Sequence, residues 1–245
     1  MATQFQMEVT LPTNGFYYPD GGRLKTVILR DITTREEKIL LGSNGDEILT
    51  NIVKACIIEP QNLDIDSLIN ADVNCLLFKL RSHTYGPEYK VTFQCPNCNR
   101  SEIGIVNIDE LPIYMLQEPF KPIEFELPVS GDTLTCKLLT QKDFRFINQL
   151  AKRATKNTAT NRNQAAYTIR MAQHIKEING QPVDSGVAQQ YCQVMQGKDS
   201  AYFWWKIGEI RIGYDNEIEH VCSNCGNEFT SMLPINAEFF RPTFG

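Results

Sequence analysis

The chain has 245 residues and a mass of 27.9 kDa, with 42% hydrophobic, 22% charged and 10% aromatic residues. These are the proportions of a folded chain, and they exclude wholesale disorder, collagen and coiled coil. With 24 basic against 29 acidic residues the net charge is −5, so the basic surplus by which nucleic-acid binders replace counterions on phosphates is missing.

Met1–Glu8 has neither a basic n-region nor an apolar h-region, so no secretory signal is expected. No apolar run approaches the length of about 18 residues that a membrane-spanning helix needs, and no membrane span is expected. Residues 4–41 read as strands and turns, with Asn14-Gly15 and Asp20-Gly21-Gly22 as turn signals. A helix is expected from near Asp46, with Ser43 as cap and Ile48, Leu49, Ile52, Val53 and Cys56 on one face. A second helix fits Val73 to Ser82, and residues 120–140 form a hairpin turning at Ser130-Gly131-Asp132. Helices follow near 141–156, 161–178, 184–196 and 199–210. The last places Tyr202, Phe203, Trp204 and Trp205 side by side, too many for one buried stripe, so one or two rings suit an interface. Residues 152–163 are the one local basic stretch, expected as a solvated helix end and loop.

Eight cysteines are the unusual count. Cys56, Cys75, Cys136 and Cys192 stand alone in apolar or helical surroundings and are expected to pack as small hydrophobes. The others form two pairs, Cys95-Pro96-Asn97-Cys98 and Cys222-Ser223-Asn224-Cys225, each between strand-like runs. A Cys-x-x-Cys at a hairpin tip is a zinc knuckle, because the chain reverses with both sulfurs aimed at one metal. Each pair supplies half a tetrahedron, so Cys95, Cys98, Cys222 and Cys225 are expected to hold one structural zinc per chain. The rival reading, a thioredoxin-like redox pair, needs the motif at a helix N-terminus, whereas here β-type sequence follows. Disulfides within the pairs are disfavoured by geometry.

The second pair begins 127 positions after the first (222 against 95). At that offset Asp72 meets Asp199, Lys79 meets Lys206, Gly86 meets Gly213 and Asn97 meets Asn224. Upstream, Val9–Gly15 resembles Phe125–Gly131 at a shorter offset. The expectation is an α+β fold of two diverged repeats, 1–118 and 119–245. Each would hold a β-hairpin, helices and a knuckle, and one shared four-cysteine zinc would join them across a pseudo-twofold axis.

Catalytic signatures are missing: there is no Gly-rich phosphate loop, no Gly-x-Ser-x-Gly and no His-Glu-x-x-His. His83, His174 and His220 are the near-neutral acid–base groups, with His220 beside the second knuckle. Four thiolates leave a zinc no open position for catalysis, so a non-enzymatic role is expected.

Leu11–Tyr18, the segment Leu80-Arg81-Ser82-His83-Thr84-Tyr85-Gly86 running on to Cys95-Pro96-Asn97-Cys98, and Phe239-Phe240-Arg241-Pro242 resemble the baseplate hub assembly family of contractile-tailed, T-even-type bacteriophages. The resemblance implies a structural or assembly protein of the tail baseplate hub, made in the host cytoplasm, with other tail or hub proteins as partners and no small-molecule substrate. It leaves open a virion component or an assembly chaperone. The zinc knuckles are read from the residues and are no part of that resemblance. The alternative reading is a zinc-ribbon nucleic-acid-binding regulator using residues 152–163.

Overall fold

The structure is a computed structural model and describes residues 5–18, 24–42, 48–155, 162–235 and 237–240. In chain order it contains β1 (Gln6–Thr10), β2 (Thr26–Arg30), α1 (Thr34–Gly42), α2 (Ile48–Cys56), β3 (Ile57–Glu59), α3 (Asn70–Tyr85), β4 (Glu88–Gln94), β5 (Ser101–Asn107) and β6 (Ile113–Tyr114). Then come β7 (Ile123–Glu126), β8 (Thr133–Cys136), α4 (Gln141–Thr155), α5 (Arg162–His174), β9 (Ile175–Ile178), β10 (Gln181–Pro182), α6 (Ser185–Val194) and α7 (Gly197–Gly208). The last strands are β11 (Gly213–Tyr214), β12 (Glu217–Val221) and β13 (Glu228–Met232). The fold is mixed α+β with several small sheets.

Two stretches differ from the sequence expectation. Residues 34–41, expected as strand and turn, lie in α1. Thr33 and Glu36 start it as a capping box: the Glu36 carboxylate accepts from the Thr33 N–H (3.0 Å) and hydroxyl (2.7 Å). The helix expected over 161–178 stops at His174, and β9 follows it. Asn179 and Gly180, at φ 52° and 72°, turn β9 into β10, the left-handed pair that a tight hairpin requires. The proposed helix start at Ser43 and Asp46, the turn at 20–22, residues 156–161 of the basic stretch, and Arg241 and Pro242 lie outside the described residues.

The chain divides into two compact units, one of residues 1–63, 71–117 and 212–245, the other of 64–70 and 118–211. This partition does not coincide with the sequence halves 1–118 and 119–245, since residues 212–245, with the second knuckle, cluster with the first unit.

In the first unit, β1, β2 and β3 form an antiparallel sheet in that order. Val9, Val27, Leu29, Ile52, Val53 and Cys56 are buried there, and α3 buries Val73, Cys75, Leu76, Phe78 and Leu80. Two polar devices fasten it. Asp72, fully buried, accepts from the Thr13 N–H (3.0 Å), the Thr13 hydroxyl (2.8 Å) and the Tyr18 hydroxyl (2.6 Å). Burial raises its pKa, and those donors oppose the rise. Arg81, 3% exposed, donates to the carbonyls of Phe239 (2.7 Å), Gly86 (2.6 Å) and Glu88 (3.0 Å). It thereby ties the end of α3 and the start of β4 to the short 3-10 turn Ala237–Phe240.

In the second unit, β7, β8, β9 and β10 form one antiparallel sheet. Its core joins Phe125, Leu134, Cys136, Met171, Cys192 and Phe203. Asp199, 1% exposed, accepts from the Val129 (2.8 Å) and Ser130 (3.1 Å) N–H groups. Asp143 accepts from Thr140 through its N–H and hydroxyl (both 2.9 Å) and pairs with Lys137 (2.7 Å).

Candidate metal centre

Two antiparallel ribbons of the first unit carry the knuckles. β4 and β5 pair residue for residue from Glu88↔Asn107 to Gln94↔Ser101, and β12 and β13 from Glu217↔Met232 to Val221↔Glu228. Each tip closes with the same pair of hydrogen bonds. In the first, Cys95 N–H donates to Arg100 C=O and Asn99 N–H to Cys95 C=O (both 2.9 Å). In the second, Cys222 N–H donates to Asn227 C=O and Gly226 N–H to Cys222 C=O (both 2.9 Å). The residue after each second cysteine is left-handed, Asn99 at φ 57° and Gly226 at φ 69°. Asn and Gly are the residue types that take this conformation at low cost.

The fold brings all four thiols together, every sulfur within 4.8 Å of the others. Cys95 Sγ lies 3.7 Å from Cys225 Sγ, and Cys98 Sγ lies 3.6 Å from Cys222 Sγ. A disulfide requires about 2.05 Å. A thiolate tetrahedron with metal–sulfur bonds of about 2.3 Å has edges of about 3.8 Å. These two separations match the second geometry, and the four thiols could hold a metal ion. Cys95 and Cys222 are buried, Cys98 is half-buried and Cys225 is exposed.

Polar contacts cross between the knuckles around the thiols. Asn97 donates its amide to Cys225 Sγ (3.6 Å), and Arg100 reaches Asn224 Oδ1 (3.2 Å). Glu102 on β5 accepts from the Ser223 N–H (3.1 Å) and hydroxyl and from the Cys222 thiol (3.8 Å). These Ser223 donors hold its pKa down. The Arg100 N–H, followed by the Asn224 amide, pulls the Cys98 thiol down to about 6. At Cys222 the Cys225 N–H also favours the thiolate, but burial and the neighbouring Cys98 and Cys225 thiols push it up to about 12. Cys98 is thus drawn toward the thiolate near neutrality, whereas at Cys222 a metal must displace the proton.

Behind the thiols the inner faces of the ribbons pack on each other. The rings of Phe93 and His220 are 3.6 Å apart between centroids, and His220 meets Phe229 at 5.2 Å. His220 Nε2 bonds to Ser231 Oγ (2.9 Å), so the histidine supports the second ribbon and is no member of the thiol group. Gly104 makes room for Phe93: a Cβ there would stand 2.6 Å from Phe93 Cε2. Sequence reasoning missed Gly104, Phe93 and Glu102, and the alternation of Val91 and Phe93 with polar residues was the available signal for the inner face.

The lone cysteines are elsewhere. Cys56, Cys75, Cys136 and Cys192 are all buried, and burial pushes each thiol up to about 12. His83 pairs with Asp31, and His174 bonds through Nδ1 to the Lys137 carbonyl (2.8 Å). The three histidines are not gathered.

Residues 4–149, which include the first knuckle, match the family model described as T4 bacteriophage base plate protein. The chain belongs to that family. Searches of curated proteins and of solved structures find no match. No described helix of this baseplate-family chain is long and apolar enough to cross a membrane.

Proposed function

We propose that the chain is a non-enzymatic structural or assembly protein of the phage tail baseplate hub, held together by one structural zinc on Cys95, Cys98, Cys222 and Cys225. The four-thiol cluster is the observation that carries the zinc, since its edges of 3.6 and 3.7 Å suit a tetrahedral thiolate shell. Family membership supports the baseplate. Zinc is preferred among metals because thiolates select it and it brings no redox chemistry of its own. A four-thiolate shell leaves no position for substrate, which supports a structural role. The partners on this reading are other tail and hub proteins, met in the host cytoplasm during assembly.

The same reading includes a duplication. Lys137, Thr140 and Asp143 stand 107 positions after Arg30, Thr33 and Glu36 and make matching contacts. The middle strands β2 and β8 break register at corresponding places, Ile28/Leu29 and Thr135/Cys136. Asp72 caps the Thr13 turn as Asp199 caps the turn at Val129 and Ser130. Gly86 and Gly213 share a left-handed backbone, at φ 87° and 94°. These correspondences support two diverged repeats, each ending in one knuckle.

Metal analysis of the purified chain tests the site: about one zinc per chain is expected, lost when Cys95 or Cys222 becomes Ser. A stable, metal-free protein would overturn it. Affinity capture from infected cells tests the function, with hub or other tail components expected among the retained proteins. Their absence defeats the hub assignment.

A further inference from the structure

A two-stranded ribbon has two open edges, each with a row of N–H and C=O groups that seek partners. In the first ribbon, Ile108 N–H donates to Pro87 C=O and Cys95 N–H to Arg100 C=O. With the one-to-one register between β4 and β5, these bonds fix the parity of the ladder. Glu102, Gly104 and Val106 turn their main-chain groups to β4, and Ser101, Ile103, Ile105 and Asn107 turn theirs to the open edge. No other strand pairs with β5 among the described residues. Ile103 and Ile105 are 76% and 61% exposed.

The other three ribbon edges carry charge in the equivalent row: Glu88 and Lys90 on β4, Glu217 and Glu219 on β12, and Glu228 on β13. Charges of that kind blunt an edge against pairing. The β5 row, Ser-Ile-Ile-Asn at alternate positions, has none. It is also self-complementary. An antiparallel pairing centred on Gly104 sets Ile103 opposite the second copy's Ile105, and Ser101 opposite the second copy's Asn107. The two Ile103–Ile105 pairs are of the hydrogen-bonded kind, no like charges meet, and four isoleucines join into one apolar patch.

We infer that β5 is a homodimerisation edge, at which two copies of the chain join their first knuckle ribbons into a four-stranded antiparallel sheet. The interface is isologous, as a twofold requires. A seven-residue ladder is short beside a standard interface of about 800 Å² per partner, so the dimer is concentration-dependent.

Sedimentation of the metal-loaded chain from about 1 to 200 µM tests this, with zinc content measured on the same samples. The wild type is expected to pass from monomer to dimer over that range. An Ile103→Lys, Ile105→Lys double variant opposes Lys to Lys across the twofold and should weaken dimerisation more than tenfold. An Ile103→Glu, Ile105→Glu variant should also stay monomeric, and mixing the two should restore a dimer containing one of each. Both variants should keep the wild-type metal content and circular dichroism, because these side chains face away from the thiols. A wild type still monomeric at the top concentration, a Lys variant that dimerises like wild type, or no rescue on mixing overturns the inference. Loss of hub binding in a Lys variant whose wild type is monomeric would assign the edge to another protein and likewise overturn it. The zinc measurement, read separately, reports on the metal site alone.

Discussion

Cys98 Sγ and Cys222 Sγ lie 3.6 Å apart although 124 residues separate them in the chain. A metal across them cross-links the first unit, and its binding free energy is released only in the folded arrangement. Chelation is therefore expected to open the ribbons selectively. Hydrogen exchange should accelerate in residues 88–107 and 217–232 while α5 and α7 stay protected. Uniform acceleration across the chain, or none, would contradict the assignment. Metal uptake should also release protons and weaken as the pH falls, measurable by titration in two buffers of different ionisation enthalpy.

Acid should erode stability in two windows. Burial depresses His174 from 6.5 to about 4, so its contribution is complete above 6.5 and is lost as the pH falls from there to 4. The size is on the order of 3 kcal/mol. Arg30 depresses Glu36 from 4.5 to about 2, which adds a second loss between about 4.5 and 2. Denaturant unfolding of the metal-free chain at stepped pH should show a shallower first slope in His174→Gln than in the wild type. An unchanged slope in that variant would remove His174 as its source.

Gly104→Ala places a methyl group against the Phe93 ring, at a distance that real Cβ atoms do not tolerate. A cost of about 1–3 kcal/mol is expected, the range for an overpacked core. Phe93→Leu in the same chain should return part of it. If Gly104→Ala is neutral by thermal unfolding, the ring does not need that space.

Arg81 satisfies three carbonyls with one guanidinium. Arg81→Met leaves them without a donor and should cost about 2–4 kcal/mol, since buried acceptors lose their full hydrogen-bond energy. Arg81→Lys should recover only part, because an ammonium lacks the planar fork. Equal stability of the Lys variant and the wild type by chemical denaturation would refute the fork argument.

The knuckles were legible because Cys-x-x-Cys followed by Asn99 or Gly226 encodes its own turn, and hairpins announce themselves locally. The same locality revealed the turn at Ser130-Gly131-Asp132. Asn179-Gly180 was equally local, yet the run Ile169 to Ile178 sustains a helical period past His174, and pairing with β8 decides against it. Arg81 was opaque for a different reason: its partners are main-chain carbonyls, one of them 158 residues away, and carbonyls leave no mark in a sequence. The gathering of four thiols followed from the two motifs, while the crossing contacts of Glu102 with Ser223 depend on how the ribbons face each other.

The separation of the two knuckles also sets an order of events during synthesis. A ribosome adding about 5–20 residues per second needs on the order of 6–25 s to pass from Cys98 to Cys222. For that interval the first hairpin has two thiols and no counterpart, while residues 118–211 emerge as one uninterrupted stretch. The later-made ribbon therefore arrives as the closing piece, and a chain broken off before Cys222 never acquires its second pair of clustered thiols.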